Sequence, residues 1–133
     1  MDTAGDNYQR WFIPGRVVDG DTITADSVDL GYLRYVREEN DPIRYRLLGV
    51  NCPESNRPES RAAGLAAKEF TKAWIAEHLT HGDGTSLVAH TVKADGHKLT
   101  DSFGRFLADI LCADGHSLAT DLLTSGHAVP FKG

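Results

Sequence analysis

The pattern of apolar and polar positions near the start of the chain predicts two strands joined by a tight turn. Residues 11–18 are mostly apolar and lead into Asp19-Gly20-Asp21, and residues 22–24 continue with β-branched side chains. A glycine between two aspartates suits a tight turn or a bulge, because glycine tolerates positive φ. Both aspartates are therefore expected where two neighbouring strands meet.

A third strand is predicted from residue 43 to residue 50, after a charged, tyrosine-bearing stretch at 31–41. The side chains of 43–50 alternate in polarity and the segment finishes apolar. Because successive side chains of a strand point to opposite faces, Arg44 and Arg46 are expected on one face and the apolar residues on the other.

A change to helical spacing predicts an α-helix between Pro58 and Leu79. Proline is well tolerated in the first turn of a helix, where its missing N–H would have no partner. Apolar residues recur at spacings of three and four and form one stripe, which we expect to pack against the core. The residues of this stripe are Ala63, Ala66, Phe70, Ala73 and Trp74.

The rest of the chain predicts two further strands and a short final helix. Strands are expected at 86–92 and 106–112, and Ser117 can cap a helix that Gly126 ends. Three strands, a helix and two strands form the pattern of a five-stranded Greek-key barrel of the OB-fold type. The predicted class is mainly β with helices (α+β), with one helix between strands 3 and 4 and a short C-terminal helix.

The composition fits one globular domain over residues 1–133, with 1–10 as a flexible N-terminal tail. The chain has 133 residues, 41% of them hydrophobic and 25% charged, which is globular rather than fibrous or disordered. No apolar run approaches the roughly 18 residues of a membrane span, and no signal peptide is visible. We expect a monomer without a membrane anchor, and an intracellular location is favoured unless the chain is a mature secreted domain.

Charge and cysteine usage limit the partners that the chain can have. A formal net charge of −5 argues against a protein that coats nucleic acid by bulk electrostatics, so nucleic-acid contact must use a local group of arginines. Two cysteines, Cys52 and Cys112, are too few for a disulfide scaffold, and we expect unpaired thiols. One short stretch does supply clustered arginines, at Arg34, Arg37, Arg44 and Arg46.

Three short segments carry side chains suited to phosphodiester hydrolysis. Residues 18–22 supply two carboxylates at a turn, residues 46–54 begin with an arginine and end with a glutamate, and residues 101–105 end in a second arginine. Carboxylate oxygens suit Ca²⁺ or Mg²⁺, planar guanidinium groups suit phosphate oxygens, and a positioned glutamate can take a proton from water. Each segment alone is weak evidence, and the three together favour hydrolysis.

The order of these motifs resembles the staphylococcal nuclease family. The matching parts are Val-Asp-Gly-Asp-Thr at 18–22, Arg-Leu-Leu-Gly-Val-x-x-Pro-Glu at 46–54 and Asp-x-Phe-Gly-Arg at 101–105, and the likeness extends over most of the chain. Members of that family are OB-fold, Ca²⁺-dependent nucleases that act on DNA and RNA and leave 3′-phosphates. The resemblance implies a calcium-dependent nuclease, with single-stranded or denatured nucleic acid as the favoured substrate.

The resemblance also implies roles for individual side chains. Glu54 is similar to the general base that activates the attacking water. Arg46 and Arg105 are similar to the pair that grips the phosphate and stabilises its developing charge. Loss of one such preorganised donor typically costs about 10²–10³ in rate.

For the metal, the resemblance implies that Asp21, Asn51 and the backbone carbonyl of Cys52 bind Ca²⁺, with Asp19 in a supporting position. The family usually has aspartate at the position of Asn51. An amide oxygen can still bind Ca²⁺, but with one negative charge fewer the binding should be weaker.

Two alternatives stay open at the level of the sequence. Tyr32 and Tyr35, interleaved with arginines, are either a stacking surface for bases or part of an exposed hairpin that protects a sheet edge. The alternative to an enzyme is a catalytically degenerate barrel of the same family, which binds nucleic acid or protein without cleaving. Such modules typically lose the arginine and glutamate set that this chain keeps.

Overall fold

The computed structural model describes residues 7–29, 34–36, 43–79, 87–92, 106–112 and 115–131. Within these ranges neither helix has the length and apolarity needed to cross a membrane. The elements, in chain order, are β1 (Asn7–Asp19), β2 (Thr22–Asp29), β3 (Arg34–Val36), β4 (Ile43–Leu47), β5 (Val50–Asn51), α1 (Arg61–His78), β6 (Leu87–Val92), β7 (Phe106–Leu111), α2 (Leu118–Ser125) and β8 (Val129–Pro130).

Five of the strands close into a barrel. Hydrogen-bonded neighbours follow the order β1, β6, β7, β4 and β2, and β2 pairs again with β1. The pair β4 and β7 is parallel, whereas the other neighbouring pairs of the barrel are antiparallel. The closed barrel, with α1 between its third and fourth strands and α2 near the C-terminus, confirms the predicted OB-fold barrel and α+β class.

The first strand is long enough to pair with two neighbours. Residues 7–12 pair with β6, and residues 12–19 pair with β2. The register against β2 shifts at three places between Ile13 and Asp19, and such bulges bend a strand and increase its twist. Because β1 begins at Asn7, the last four residues of the predicted tail belong to the barrel, and residues 1–6 lie outside the described ranges.

A turn interrupts the predicted third strand. β4 ends at Leu47, and Gly49 adopts a φ of 76°, which a residue with a side chain rarely adopts. After the turn, β5 pairs with β8, so that Asn51 lies opposite Val129. The C-terminal segment is thereby tied to the chain that follows β4.

A short edge strand lies within the charged stretch at 31–41. β3 pairs with β2 through residues 34–36. Tyr32 and Arg37 lie outside the described residues. The choice between a stacking surface and a protected edge therefore stays open.

The core fills the barrel and the space between the barrel and the helices. The rings of Phe12 and Tyr45 lie 5.1 Å apart inside it. Both cysteines are buried, and neither forms a disulfide bond. The largest apolar side chains that are fully buried are Phe12, Ile23, Leu47, Val50, Leu87, Ile110, Leu118 and Leu122.

The buried face of α1 differs from the predicted stripe. The prediction is wrong for Ala63, Ala66 and Ala73, which are exposed. Part of the packed face contacts the backbone of neighbouring loops rather than apolar side chains, so it consists of small residues and a threonine. The buried residues of α1 are Gly64, Ala67, Thr71, Trp74 and Ile75.

Candidate active site

The acidic turn, Asp19 to Asp21, is fixed at the end of the barrel by α1 and by the segment after β5. The carbonyl of Gly20 accepts a hydrogen bond of 2.7 Å from the hydroxyl of Thr71 in α1. A Cβ atom at Gly20 would lie 2.9 Å from Cβ of Ala67 and 2.9 Å from the sulfur of Cys52. Gly20 does not adopt a positive φ, so glycine is required here by close packing and not, as the sequence suggests, by the backbone conformation of the turn.

The carboxylate of Asp21 is buried and has three partners. Its Oδ2 accepts a hydrogen bond of 2.8 Å from the backbone N–H of Cys52 and lies 3.5 Å from Nη1 of Arg46. Its Oδ1 accepts a hydrogen bond of 3.2 Å from the hydroxyl of Thr22. A buried carboxylate needs such partners in place of water. Asp21 thus connects the acidic turn with both β4 and the segment after β5.

The guanidinium of Arg46 folds over the turn that follows β4. Nη1 donates to the carbonyls of Leu47 and Val50, at 2.9 and 2.8 Å. Nη2 donates to Oδ1 of Asn51 at 3.1 Å. These bonds fix the orientation of the planar group, and only 8% of the residue is exposed. Arg46 thereby brings the side chains of Asp21 and Asn51 to one place.

Phe131 covers Arg46, and no sequence motif indicates this contact. The ring centroid lies 5.5 Å from Cζ of Arg46, which is a cation–π distance. The backbone N–H of Phe131 donates to the carbonyl of Gly49 at 2.9 Å and extends the pairing of β5 with β8. A two-residue strand is too short to produce a recognisable pattern, so sequence reasoning misses this residue.

Glu54 lies in the loop between β5 and α1, and the backbone of this loop is attached to the acidic turn. The hydroxyl and the N–H of Ser55 both donate to Oδ1 of Asp19, at 2.8 and 3.4 Å. The hydroxyl of Ser60 donates to the carbonyl of Glu54 at 2.7 Å. The Glu54 carboxylate is half-exposed and forms an ion pair with Arg57. The backbone of Glu54 is thus fixed by a hydrogen bond, whereas its side chain is accessible to water.

The thiol of Cys52 lies beside these acidic groups but has no nucleophilic character at neutral pH. Burial, reinforced by the charge of Asp21, raises the pKa of the thiol to about 12. Because the thiolate is the reactive form, the protonated thiol is inert. The contribution of Cys52 to the site is therefore made by its backbone.

Four of the predicted site residues that the structure describes contact one another at one end of the barrel. Arg105 lies outside the described residues, so its place beside Arg46 stays a prediction. Sequence reasoning also misses Arg57 and Ser60, because a charged or hydroxyl residue in a loop has no pattern of its own. Direct contacts join Asp21, Arg46, Asn51 and Cys52. Asp19 contacts Ser55, which follows Glu54 in the chain, whereas the Glu54 carboxylate contacts Arg57.

The oxygen atoms of this site fit a hard cation in their chemical type. Asp21 and Asn51 both contact Arg46, so a carboxylate and an amide oxygen converge, and Asp19 lies on the same turn. Hard oxygen donors suit Ca²⁺. Within the described ranges, no three histidine, cysteine, aspartate or glutamate side chains are placed to hold a metal. A cation would depend on one carboxylate, an amide and backbone carbonyls, which favours weak binding.

A family of known proteins matches the larger part of the chain. The sequence model of a family described as staphylococcal nuclease homologue matches residues 44–132, two thirds of the chain. The matched region contains the segment from Arg46 to Glu54 and both helices, and it begins after the acidic turn. A comparison with curated proteins found no significant match.

Proposed function

Because the chain belongs to the staphylococcal nuclease family, we propose that it is a calcium-dependent nuclease that hydrolyses phosphodiester bonds of DNA or RNA. The observation that carries the proposal is the contact of one guanidinium, that of Arg46, with both Asp21 and Asn51. A group suited to phosphate thus lies beside oxygens suited to a cation. An OB fold alone does not distinguish hydrolysis from binding, whereas this combination of groups has a chemical use in hydrolysis.

Arg46 would bind the phosphate that is cleaved. Three of its five N–H groups donate to protein acceptors. The other two have no acceptor among the described residues and can donate to phosphate oxygens. Because the guanidinium is already oriented, it can stabilise the developing negative charge without reorganisation. We assign the second phosphate-binding guanidinium to Arg105.

Glu54 would act as the general base. The water oxygen forms a bond to phosphorus, the proton of the water passes to Glu54, and the bond between phosphorus and the 5′ oxygen breaks. One product keeps a 3′-phosphate, and the other gains a 5′-hydroxyl after its oxygen takes a proton from solvent. Arg46 and Arg105 stabilise the charge that builds on the phosphate oxygens.

For the cation, we assign Asp21, Asn51 and the backbone carbonyl of Cys52 as the groups that hold Ca²⁺. Asp19 supports them by fixing the Ser55 end of the neighbouring loop. Bound calcium supplies positive charge next to the phosphate. Because residue 51 contributes an amide and not a second carboxylate, the affinity is expected to be weak.

We propose single-stranded or denatured DNA or RNA as the favoured substrate of a monomeric enzyme. The net charge of −5 provides no general attraction to the dense charge of a duplex. A flexible single strand can bring one phosphate into a small local site. Recognition then depends on a few guanidinium contacts rather than on a broad basic surface.

The experiment that tests the proposal is release of acid-soluble nucleotide from denatured DNA, with millimolar Ca²⁺ or with a chelator. The parent should release nucleotide only with Ca²⁺. Glu54→Gln should lower the rate by about 10²–10⁴, because it removes the general base. Glu59→Gln is the matched control, since Glu59 is an exposed glutamate in the same loop, and its rate should equal that of the parent.

Two results would contradict the nuclease proposal. Glu54→Gln with the rate of the parent would show that Glu54 is not the base. A parent that releases no nucleotide, together with an equally inert Asn51→Asp variant, would support the degenerate module that binds nucleic acid or protein without cleaving. The Asn51→Asp variant is needed because the amide at residue 51 could by itself weaken Ca²⁺ binding enough to abolish activity, even if all other groups of the enzyme are in place.

A further inference from the structure

The first turns of α1 lie directly against the peptide group of Glu54. A Cβ atom added at Gly64 would lie 2.6 Å from the carbonyl carbon of Glu54, 2.7 Å from its oxygen and 2.6 Å from the nitrogen of Ser55. All three are backbone atoms, which cannot rotate aside as the end of a side chain can. Glycine is otherwise unfavourable inside a helix, so this close contact explains why it stands there.

Ser60 stands immediately before α1 but does not cap it. Its hydroxyl donates to the carbonyl of Glu54 at 2.7 Å, and its side chain accepts no hydrogen bond from the helix. Ser117, at the same position before α2, does cap its helix, because its Oγ accepts from the N–H of Thr120 at 3.2 Å. The hydroxyl of Ser60 therefore forms its hydrogen bond with the loop of Glu54 and not with the helix.

The same face of α1 also holds the acidic turn. The hydroxyl of Thr71 donates to the carbonyl of Gly20, and Ala67, one turn earlier, packs against the same glycine. Residues three, four and seven apart share one face of a helix. A single rigid helix thus fixes the distance between the loop of Glu54 and the turn that carries Asp21.

We propose that Gly64 and Ser60 are positioning residues for Glu54, which act by setting its peptide against α1. The inference rests on the proposed function, since it assumes that Glu54 is the general base. A base must lie within hydrogen-bond reach of the water it activates, and a displacement of about 1 Å can cost up to about 10² in rate. Gly64→Ala should produce such a displacement, because the new methyl group pushes the Glu54 peptide away.

The first experiment measures kcat and KM on denatured DNA for three variants. Gly64→Ala should lower kcat by about 10–100-fold and change KM by less than about twofold, because substrate contacts remain while the base moves. Ser60→Ala should lower kcat by about 3–10-fold, since it removes one of the restraints on the loop. Ala66→Ser, which adds one atom to the exposed face of α1, is the control and should match the parent.

A second comparison separates positioning from general loss of stability. Ser117→Ala removes a true helix cap, so it should lower Tm and leave kcat unchanged. Ser60→Ala should lower kcat and leave Tm within about 1–2 °C of the parent. The opposite result, a lower Tm with unchanged kcat for Ser60→Ala, would identify Ser60 as a structural residue and overturn its assignment.

The decisive experiment is a double-mutant cycle with Glu54→Gln. If Gly64 and Ser60 act through Glu54, their substitution should cost nothing further in kcat once Glu54 is glutamine. Equal losses in both backgrounds would overturn the inference. If Gly64→Ala does not fold, the Ser60→Ala cycle decides by the same criterion.

The outcomes also separate this inference from the proposed function. An impaired Glu54→Gln variant with Gly64→Ala and Ser60→Ala at the rate of the parent would overturn positioning and leave the nuclease proposal intact. A fully active Glu54→Gln variant would overturn the nuclease mechanism itself, and with it any role of Gly64 and Ser60 that operates through Glu54.

Discussion

Arg46 and Asp21 form a buried ion pair, with Nη1 of the arginine 3.5 Å from Oδ2 of the aspartate and 9% of each side chain exposed. The arginine is proposed to bind phosphate and the aspartate to bind the cation. Because neither charge is well hydrated, removal of one leaves the other without compensation. Substitutions at either residue should therefore affect phosphate binding, cation binding and stability together.

Arg46→Lys should lower kcat/KM by about 10²–10³, although the positive charge beside Asp21 remains. An ammonium group cannot reproduce the planar fork that donates to Val50, to Asn51 and to a phosphate at the same time. Steady-state kinetics on denatured DNA would measure the loss. Arg44→Lys is the matched control, because Arg44 is an exposed arginine of the same strand. Comparable losses for the two variants would contradict a specific role for Arg46.

Asn51→Asp should tighten the binding of Ca²⁺ by about tenfold or more, because a second carboxylate joins Asp21. Titration calorimetry would give the dissociation constant, and the rise of Tm with added Ca²⁺ would give an independent measure. Asn56→Asp adds the same charge at an exposed position of the neighbouring loop and should leave the affinity nearly unchanged. An equal gain for both variants would mean that general charge, and not coordination at residue 51, is responsible.

Phe131→Ala should lower the free energy of unfolding by about 0.5–1 kcal/mol beyond the effect of lost apolar area, because the cation–π contact with Arg46 disappears. It should also raise KM a few-fold, since the guanidinium loses one of its restraints. Urea unfolding and substrate titration would measure the two effects. Val129→Ala is the control, because Val129 lies in β8, the strand directly before Phe131, and is 60% exposed. A KM for Phe131→Ala equal to that of the control would refute the role of the ring.

The sequence predicts those parts of the fold that depend on local patterns. Apolar and β-branched runs predict the barrel strands, helical spacing predicts α1, and the capping residues Ser117 and Gly126 predict α2. The pairing of β5 with β8 cannot be predicted in this way, because each strand has two residues and forms only when distant segments meet. The packed face of α1 is also missed: apolarity favours Ala63 and Ala66, whereas close backbone approach selects Gly64 and Ala67.

The residues of the candidate site also include some that the sequence predicts and others that it misses. Charged residues within motifs, such as Asp21, Arg46 and Glu54, can be proposed as site residues from their order along the chain. The residues that hold them, Ser60 and Phe131, cannot, because their contacts depend on how loops approach one another in space. A motif identifies the groups that can carry out the chemistry, and only the fold identifies what orients them.

The stability of the protein should fall at alkaline pH through ionisation of Tyr45. Burial, opposed in part by the charge of Arg10, raises the pKa of Tyr45 from its ordinary value of 10.0 to about 12. Between these values the native state holds the phenolic proton and the unfolded state releases it. The protonated Tyr45 side chain therefore contributes fully to the free energy of unfolding below pH 10. This contribution is lost as the pH rises from 10 through 12, a change of about 3 kcal/mol.

Tyr45→Phe tests this prediction, because phenylalanine keeps the ring and has no proton to lose. Urea unfolding at pH 8 and at pH 12 should show a smaller loss of stability for the variant than for the parent. Cys52, whose pKa burial also raises to about 12, ionises in the same range, so the variant should still lose some stability. Cys52→Ala would remove that second part independently. Parallel curves for the parent and Tyr45→Phe would exclude Tyr45 as the group that titrates.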